Sequence, residues 1–103
     1  MRVVYFGPAL DDIEAITDYI ARDSLIAAAR VERRLRETVA LLANQPDMGR
    51  PGRIGRTREL IVPPYIVVYH VRSQVVEVLA VIDGRRGAIA TLIIDRLDDV
   101  GIG

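Results

Sequence analysis

The segment PDMGRPGRIGRTRELIVPPYIVVYHV, Pro46–Val71, decides how the rest of this chain folds. It begins as a loop rich in Pro and Gly and continues as two apolar runs, Thr57–Val62 and Tyr65–Val71, whose β-branched residues predict strands. Pro63-Pro64 between them offers no backbone N–H, so the pair predicts a turn or a sheet edge. The second strand is largely apolar on both faces, and both faces therefore need a cover.

The size and composition of the chain predict one small domain. Its 103 residues are enough for a modest core, and we expect residues 1–103 to form that single domain. No run approaches the ~20 apolar residues of a membrane span, and the N-terminal segment lacks a signal-peptide pattern. We therefore expect a soluble cytoplasmic protein with no membrane partner. The absence of cysteine excludes disulfides, thiolate nucleophiles and cysteine-based zinc sites, and we expect no cofactor and no metal.

The charge of the chain is balanced, with 14 basic and 14 acidic residues. A protein that holds RNA or DNA mainly through phosphates usually carries a basic excess, so contact with nucleic acid would need a local patch. All basic residues are arginine. Codon bias is the simpler explanation, and selection for bidentate pairing with carboxylates or phosphates is the alternative. Composition does not separate the two.

Upstream of the central segment, the sequence predicts a strand and two helices. Arg2–Phe6 is a short strand candidate, and apolar residues recur every three or four positions from Pro8 onward, which indicates an amphipathic helix. Asp23 or Ser24 can cap a second helix that runs to about Asn44. The short connection predicts an antiparallel helical hairpin.

Three acidic residues, Asp11, Asp12 and Glu14, lie in the first turns of the first predicted helix, with Asp18 nearby. Such a cluster is compatible with a metal or acid–base site. A solvated helix face that compensates the helix dipole is the simpler interpretation, and we expect it here.

Downstream, the tight polar connection Arg72–Gln74 predicts that Tyr65–Val71 and Val75–Ile82 form an antiparallel hairpin. Ala88–Leu97 has the spacing of a short amphipathic helix, and Asp98–Gly103 carries no strong structural signal. The core order β-α-α-β-β-β predicts an α+β fold, with the helical hairpin packed on one face of a small, mostly antiparallel sheet. Since that hairpin covers only one face, we expect the other face to stay open for a partner.

Four motifs resemble the ParE/RelE superfamily of bacterial type II toxins. They are Pro46…Gly49-Arg50-Pro51-Gly52, Gly55-Arg56-Thr57-Arg58-Glu59-Leu60, Pro64-Tyr65-Ile66-Val67-Val68-Tyr69 and Asp83-Gly84-Arg85-Arg86. The resemblance extends over almost the whole chain and implies the RelE/ParE-like fold. It also implies a toxin that is neutralised by an antitoxin, whose C-terminal segment wraps the toxin and whose N-terminal part dimerises and binds its own operator.

The two branches of this superfamily have different activities. RelE-like members cleave messenger RNA in the ribosome, whereas ParE-like members poison DNA gyrase without being enzymes. RelE-like toxins often carry an arginine between the two tyrosines of the strand motif and a Tyr or His near the C-terminus. Here the residues between Tyr65 and Tyr69 are apolar, and no Tyr or His follows His70. Cleavage through a 2′-oxygen requires a base, cations and an acid, so these differences favour the ParE-like branch.

Two alternatives remain open at the level of sequence. One is a RelE-like ribosome-dependent endoribonuclease, and the other is a non-toxic binding module of the same fold. One departure from the ParE-like pattern is Asp83, which stands where many such chains have histidine. Aspartate keeps the turn chemistry but is not a cation, so no role is carried over to this position.

We expect a set of arginines, whose guanidinium groups suit carboxylates, and two tyrosines to bind the antitoxin or the target. They are Arg50, Arg53, Arg56, Arg58, Tyr65, Tyr69, Arg85 and Arg86. No residue is assigned a catalytic or metal-binding role. The expected partners are a ribbon-helix-helix, ParD-like antitoxin in a hetero-oligomer and DNA gyrase as target, with operator DNA bound only through the antitoxin.

Structural roles compete with binding roles for several of these side chains. Tyr65 and Tyr69 share a strand face and are expected to be half-buried packing residues. His70 is expected to be structural, and a structural ion pair is a close alternative to a binding role for Arg58.

Overall fold

The computed structural model describes residues 1–99 as a helical hairpin, a five-stranded sheet and a C-terminal helix. The elements are β1 Arg2–Tyr5, α1 Gly7–Ala21, α2 Leu25–Ala40 with a 3₁₀ turn Leu41–Ala43, β2 Arg50–Pro51, β3 Arg58–Val62, β4 Tyr65–Arg72, β5 Val75–Asp83 and α3 Ile89–Asp99. The sheet order is β1-β5-β4-β3-β2, and only the β1–β5 pair is parallel. The predicted α+β fold and mostly antiparallel sheet are confirmed.

The helical hairpin begins and ends where the sequence predicted. Ser24 is the N-cap of α2, and its Oγ accepts a hydrogen bond from the backbone N–H of Ala27 at 3.1 Å. On the exposed face of α2, Arg36 pairs with Glu32 at 3.1 Å, one helical turn away. The short connection between α1 and α2 places the apolar stripes of both helices on the same side.

The first core lies between this hairpin and one face of the sheet. It consists of buried aliphatic and aromatic side chains from both helices of the hairpin and from strands β3, β4 and β5. They include Ala9 and Ile13 of α1, Leu35 and Val39 of α2, Leu60 of β3, Tyr65, Val67 and Tyr69 of β4, and Val76 and Val78 of β5. The prediction that the hairpin packs on one face is therefore confirmed.

The opposite face of the sheet is not open, which corrects the sequence-based expectation. Helix α3 packs on it, with Ile93 and Leu97 only 1% and 2% exposed. The strand residues beneath the helix are Ile66, Val68, Leu79, Ala80 and Ile82. Spacing predicted the helix itself, but local periodicity does not show what a helix packs against.

The C-terminal helix is also slightly longer than predicted. It continues through Asp98 to Asp99, two residues into the segment for which the sequence carried no structural signal. The remainder of that predicted tail, residues 100–103, lies outside the described residues.

A β-bulge interrupts the alternation of β5 between the two cores. The pairing with β4 shifts between Val68 and Tyr69, so that Val68 faces Ala80 whereas Tyr69 faces Val78, and Leu79 has no partner. At the extra residue, Leu79 and Ala80 both belong to the core under α3. The nearly unbroken apolar run of the strand follows from the burial of both sheet faces.

An ion pair between Arg96 and Asp12 joins α3 to α1, and Asp12 also joins α1 to β5. The Arg96 guanidinium donates to the Asp12 carboxylate and, at 2.7 Å, to the carbonyl of Pro8. The other Asp12 oxygen accepts from the backbone N–H of Val81 at 2.9 Å. Burial raises the pKa of Asp12 above its usual value, although Arg96 and Val81 act in the opposite direction. The interpretation of Asp12 as part of a solvated face was therefore wrong.

Strand β2 was not predicted, and it leaves part of the sheet edge uncovered. It pairs only with Arg58 and Glu59 of β3. Along residues 1–99, no strand pairs with the outer edge of β3 beyond Glu59, where Ile61 is 43% exposed. None of the helices described is long and apolar enough to cross a membrane.

Candidate binding surface

The loop before β3 is organised around one buried carboxylate, that of Glu59, which is 1% exposed. Its Oε1 accepts from Arg50 Nη2 at 3.0 Å and from Arg53 Nε at 3.3 Å, and its Oε2 accepts from the backbone N–H of Arg53 at 3.0 Å. Two of the arginines predicted to bind a partner are therefore engaged within the chain. Each still exposes part of its guanidinium at the surface.

The same contacts set the ionisation of Glu59. Burial alone raises the pKa of a carboxyl group, but here the Arg53 N–H and the Arg50 and Arg53 guanidiniums outweigh it and hold the pKa of Glu59 below its usual value. Since the folded pKa is lower than the unfolded one, the stabilisation is fully present above the unfolded pKa. It is lost as the pH falls through the folded pKa.

Replacing Glu59 by Gln is accordingly expected to lower the free energy of unfolding by about 2 kcal/mol at pH 7, because charge-assisted hydrogen bonds are lost. The difference between wild type and variant should begin to shrink as the pH falls below the unfolded pKa of the carboxyl group, and it should be lost through the lower folded pKa of Glu59. Urea unfolding at a series of pH values measures it. Glu37→Gln on the exposed face of α2 is the control, with a change of about 0.5 kcal/mol or less. A difference that stays constant down to pH 3 would contradict the assignment.

The other two loop arginines differ from each other. Arg58 donates to the backbone carbonyls of Gly49 at 2.7 Å and Asp47 at 3.3 Å and so supports the loop through carbonyls. The ion pair considered from the sequence is not formed among residues 1–99. Arg56 is exposed at a positive φ of 70°, and its side chain forms no hydrogen bond or ion pair with residues 1–99.

Tyr69 lies inside the first core and not on the surface. Its side chain is fully buried, and its hydroxyl accepts from the N–H of Gly49 at 2.9 Å and donates to the carbonyl of Pro46 at 2.7 Å. A Cβ at Gly49 would lie 2.7 Å from that hydroxyl, so only glycine fits there. The expectation of a half-buried Tyr69 was wrong, and in this conformation the side chain offers no surface to a partner.

Tyr65 is also more buried than predicted, at 6% exposure, but its surroundings differ. It lies beside a cleft of about 460 Å³ between α1 and the adjacent ends of β4 and β5. One wall consists of Ala15, Ile16, Tyr19 and Ile20, and the other of Tyr65, Asp83, Arg85 and Arg86. A shallower groove of about 400 Å³ adjoins it and shares Tyr65 and Arg85, with Arg50 and Arg53 among its other lining residues.

Two arginines lie at the mouth of the cleft, and they differ in whether the guanidinium is paired with a carboxylate. Arg85 is held by Asp83, with Nε to Oδ1 at 3.0 Å and Nη2 to Oδ2 at 2.7 Å, and this pairing holds the pKa of Asp83 below its usual value. The guanidinium of Arg86 forms no hydrogen bond or ion pair with the described part of the chain. Five of the eight predicted binding residues thus gather around the two grooves, whereas Arg56, Arg58 and Tyr69 do not line them.

Sequence reasoning missed the wall that α1 contributes. Tyr19 is 69% exposed, and its ring lies 5.5 Å from the Arg22 guanidinium. The signal was present, since Tyr19 falls outside the apolar stripe of α1 and a large aromatic residue on a solvent-facing position often marks a contact surface.

The chemistry of this region suits binding. It offers apolar walls, a phenol and guanidinium groups, which recognise aliphatic side chains and carboxylates. His70 pairs with Glu77 across β4 and β5, with Nε2 and Oε1 2.6 Å apart, which supports its structural interpretation. Among residues 1–99, no three His, Cys, Asp or Glu side chains are grouped so that they could hold a metal ion.

Comparison with known proteins agrees with this fold. Residues 3–87 match the family model described as the ParE toxin of the type II toxin–antitoxin system parDE. The chain is 46% identical over 82 residues to "Putative toxin Y4kP" of Sinorhizobium fredii, covering 78% of this chain and 84% of the relative. It is 35% identical over 80 residues to "Toxin RelE2" of Caulobacter vibrioides, covering 78% and 91%.

A solved structure shares the architecture. It is a chain of the chromosomal ParDE toxin–antitoxin system from P. aeruginosa, with a TM-score of 0.70 and 25% sequence identity, over 79% of this chain and 92% of that one. The family match covers both walls of the cleft and the loop around Glu59. The chain therefore belongs to the ParE toxin family of type II toxin–antitoxin systems.

Proposed function

We propose that this toxin acts in the cytoplasm by inhibiting DNA gyrase without catalysing a reaction, and that a ParD-like, ribbon-helix-helix antitoxin holds it inactive in a hetero-oligomer. The main support is the match to the ParE family over residues 3–87. The resemblance of the sequence motifs to ParE-like toxins implies the target.

The environment of β4 also favours a non-catalytic toxin. In RelE-like toxins an arginine often stands between the two tyrosines of this strand, where a cation can stabilise a cleaved phosphate. Here Ile66 and Val68 are buried under α3, and Val67 is buried in the first core. The strand therefore has no cation in that position and no open face on which an RNA backbone could lie.

A ribosome-dependent ribonuclease is the second candidate, because a relative at 35% identity is named Toxin RelE2. Its phosphate contacts would come from arginines such as Arg53 and Arg85, which keep part of their surface exposed. The net charge of zero opposes this alternative, since such a toxin has to approach ribosomal RNA.

One pair of assays separates these functions. We expect the purified chain to inhibit supercoiling of relaxed plasmid by DNA gyrase and to leave messenger RNA intact in a translating extract. Addition of the antitoxin should restore supercoiling, which serves as the control for specificity. Cleavage at codon positions that is abolished by Arg85→Ala would replace this proposal with the ribonuclease. No effect in either assay would identify a non-toxic binding module.

A further inference from the structure

The cleft between α1 and the ends of β4 and β5 is large enough to receive a side chain, and we call it the socket. Ile16, Tyr19 and Ile20 of α1 supply an apolar wall. The opposite wall consists of Tyr65 and Asp83 at the ends of β4 and β5, and of Arg85 and Arg86 in the turn that follows β5. A volume of about 460 Å³ lies within the range of roughly 300–1,000 Å³ that is usual for ligand pockets. An apolar group entering it would lose water on several sides at once.

The hydroxyls of the two tyrosines of β4 have different surroundings. The hydroxyl of Tyr69 is saturated by Gly49 and Pro46. The hydroxyl of Tyr65 forms no hydrogen bond with any residue of 1–99, although the ring is buried and lines the cleft. Because no buried side-chain polar atom of the described residues lacks a partner, this hydroxyl reaches solvent, where it is available to a group that enters the cleft.

The charge at the mouth defines the polar group further. Asp83 neutralises Arg85 through two hydrogen bonds, whereas the Arg86 guanidinium at this rim has no hydrogen bond or ion pair among residues 1–99. A guanidinium without a partner is suited to a carboxylate. The occupant therefore combines an apolar anchor with a nearby acidic residue.

We propose, on the basis of the function proposed above, that this cleft receives one aliphatic side chain of the antitoxin. An acidic residue close to that anchor pairs with Arg86, and the Tyr65 hydroxyl hydrogen-bonds to the backbone of the same segment. A second copy of this chain is a poorer occupant when the two-fold axis passes through this rim, because Arg86 would then meet its own counterpart.

Three variants test the socket, and two control variants lie on α2. Ala15→Trp places a large ring in the cleft from an exposed position, Arg86→Glu reverses the charge of the rim, and Tyr65→Phe removes only the hydroxyl. Ala29→Trp and Arg30→Glu make the same changes of size and charge at exposed positions of α2 that do not line the cleft. Circular dichroism melting verifies that every variant is folded.

The probe is the purified cognate antitoxin, and calorimetric titration at low and moderate salt gives the dissociation constant. We expect Ala15→Trp and Arg86→Glu to weaken binding by about tenfold or more, and Tyr65→Phe by about threefold. Only Arg86→Glu should also reduce the salt dependence of binding. Both controls should bind as wild type does.

The possible outcomes show whether the proposal for the socket fails alone or together with the proposed function on which it rests. If wild type binds the antitoxin and all three cleft variants bind equally well, the socket is overturned while the proposed function stands. If wild type does not bind it, both fail together. If Ala15→Trp binds the antitoxin normally but no longer inhibits gyrase, the cleft serves the target, and if it instead dissociates a toxin dimer, the occupant is a second copy. Either result overturns the assignment to the antitoxin.

Discussion

Replacement of Tyr69 by Ala is expected to lower the free energy of unfolding by about 3–5 kcal/mol, a large share of the stability of a domain of this size. The side chain is fully buried between the helical hairpin and the sheet, so its removal leaves a cavity. It also deprives the Gly49 N–H and the Pro46 carbonyl of their partner. The loop before β3 should lose its anchor on the sheet as a result.

The hydroxyl and the ring make separable contributions. Tyr69→Phe keeps the packing and removes the two hydrogen bonds, and we expect it to cost about 1–3 kcal/mol because buried backbone groups lose their partner. Urea unfolding followed by circular dichroism measures both variants. Tyr19→Ala, at an exposed position, is the control and should change stability by about 0.5 kcal/mol or less. Wild-type stability of Tyr69→Phe would show that the hydroxyl does not hold the loop.

Replacement of Asp12 by Ala is expected to cost about 3 kcal/mol and to loosen α3. Arg96 would keep its place among partly buried groups without its carboxylate partner, and the Val81 N–H would lose its acceptor. We place the estimate at the lower end of the range for buried ion pairs because the Arg96 side chain is still 25% exposed.

Hydrogen–deuterium exchange measures the loosening of α3 in Asp12→Ala directly, at the amides of that helix. In Asp12→Ala, amides of α3 should exchange much faster, while those of α2 should keep most of their protection. Asp11→Ala is the matched control, since that neighbouring residue is exposed. Equal protection of α3 in wild type and Asp12→Ala would mean that the apolar contacts of Ile93 and Leu97 hold the helix without the ion pair.

Apart from the short strand β2, the elements of this fold were predictable because each follows from a local pattern. The 3.6-residue stripes of α1 and α2, the Ser24 cap and the turn at Pro63-Pro64 act over a few residues, and all are present. The cover of the second sheet face was not predictable in this way, since it depends on Ile93 and Leu97 meeting side chains of β4 and β5. The hydrogen bond between Asp12 and Val81 joins residues 69 positions apart, and no local sequence pattern predicts it.

Only part of the binding surface was predicted, because the rest depends on contacts between segments that are distant in the sequence. The sequence showed several arginines in one loop but not that Glu59 is buried beneath them and engages Arg50 and Arg53. A lone acid within an apolar strand is itself a sign of a buried ion pair, because an uncompensated carboxylate is costly there. The cleft beside Tyr65 forms only when α1 packs against the ends of β4 and β5. Its two walls come from distant segments, so no local sequence pattern predicts that they face each other.

The pairing of β1 with β5 has a consequence for how the toxin is made. Arg2 pairs with Val75, so on the ribosome β1 waits for β5, which takes several seconds at about 5–20 residues per second. The cleft also depends on segments that are synthesised at different times, because α1 precedes Arg86 in the chain. In a nascent chain, the cleft therefore forms only after both of its walls have been synthesised.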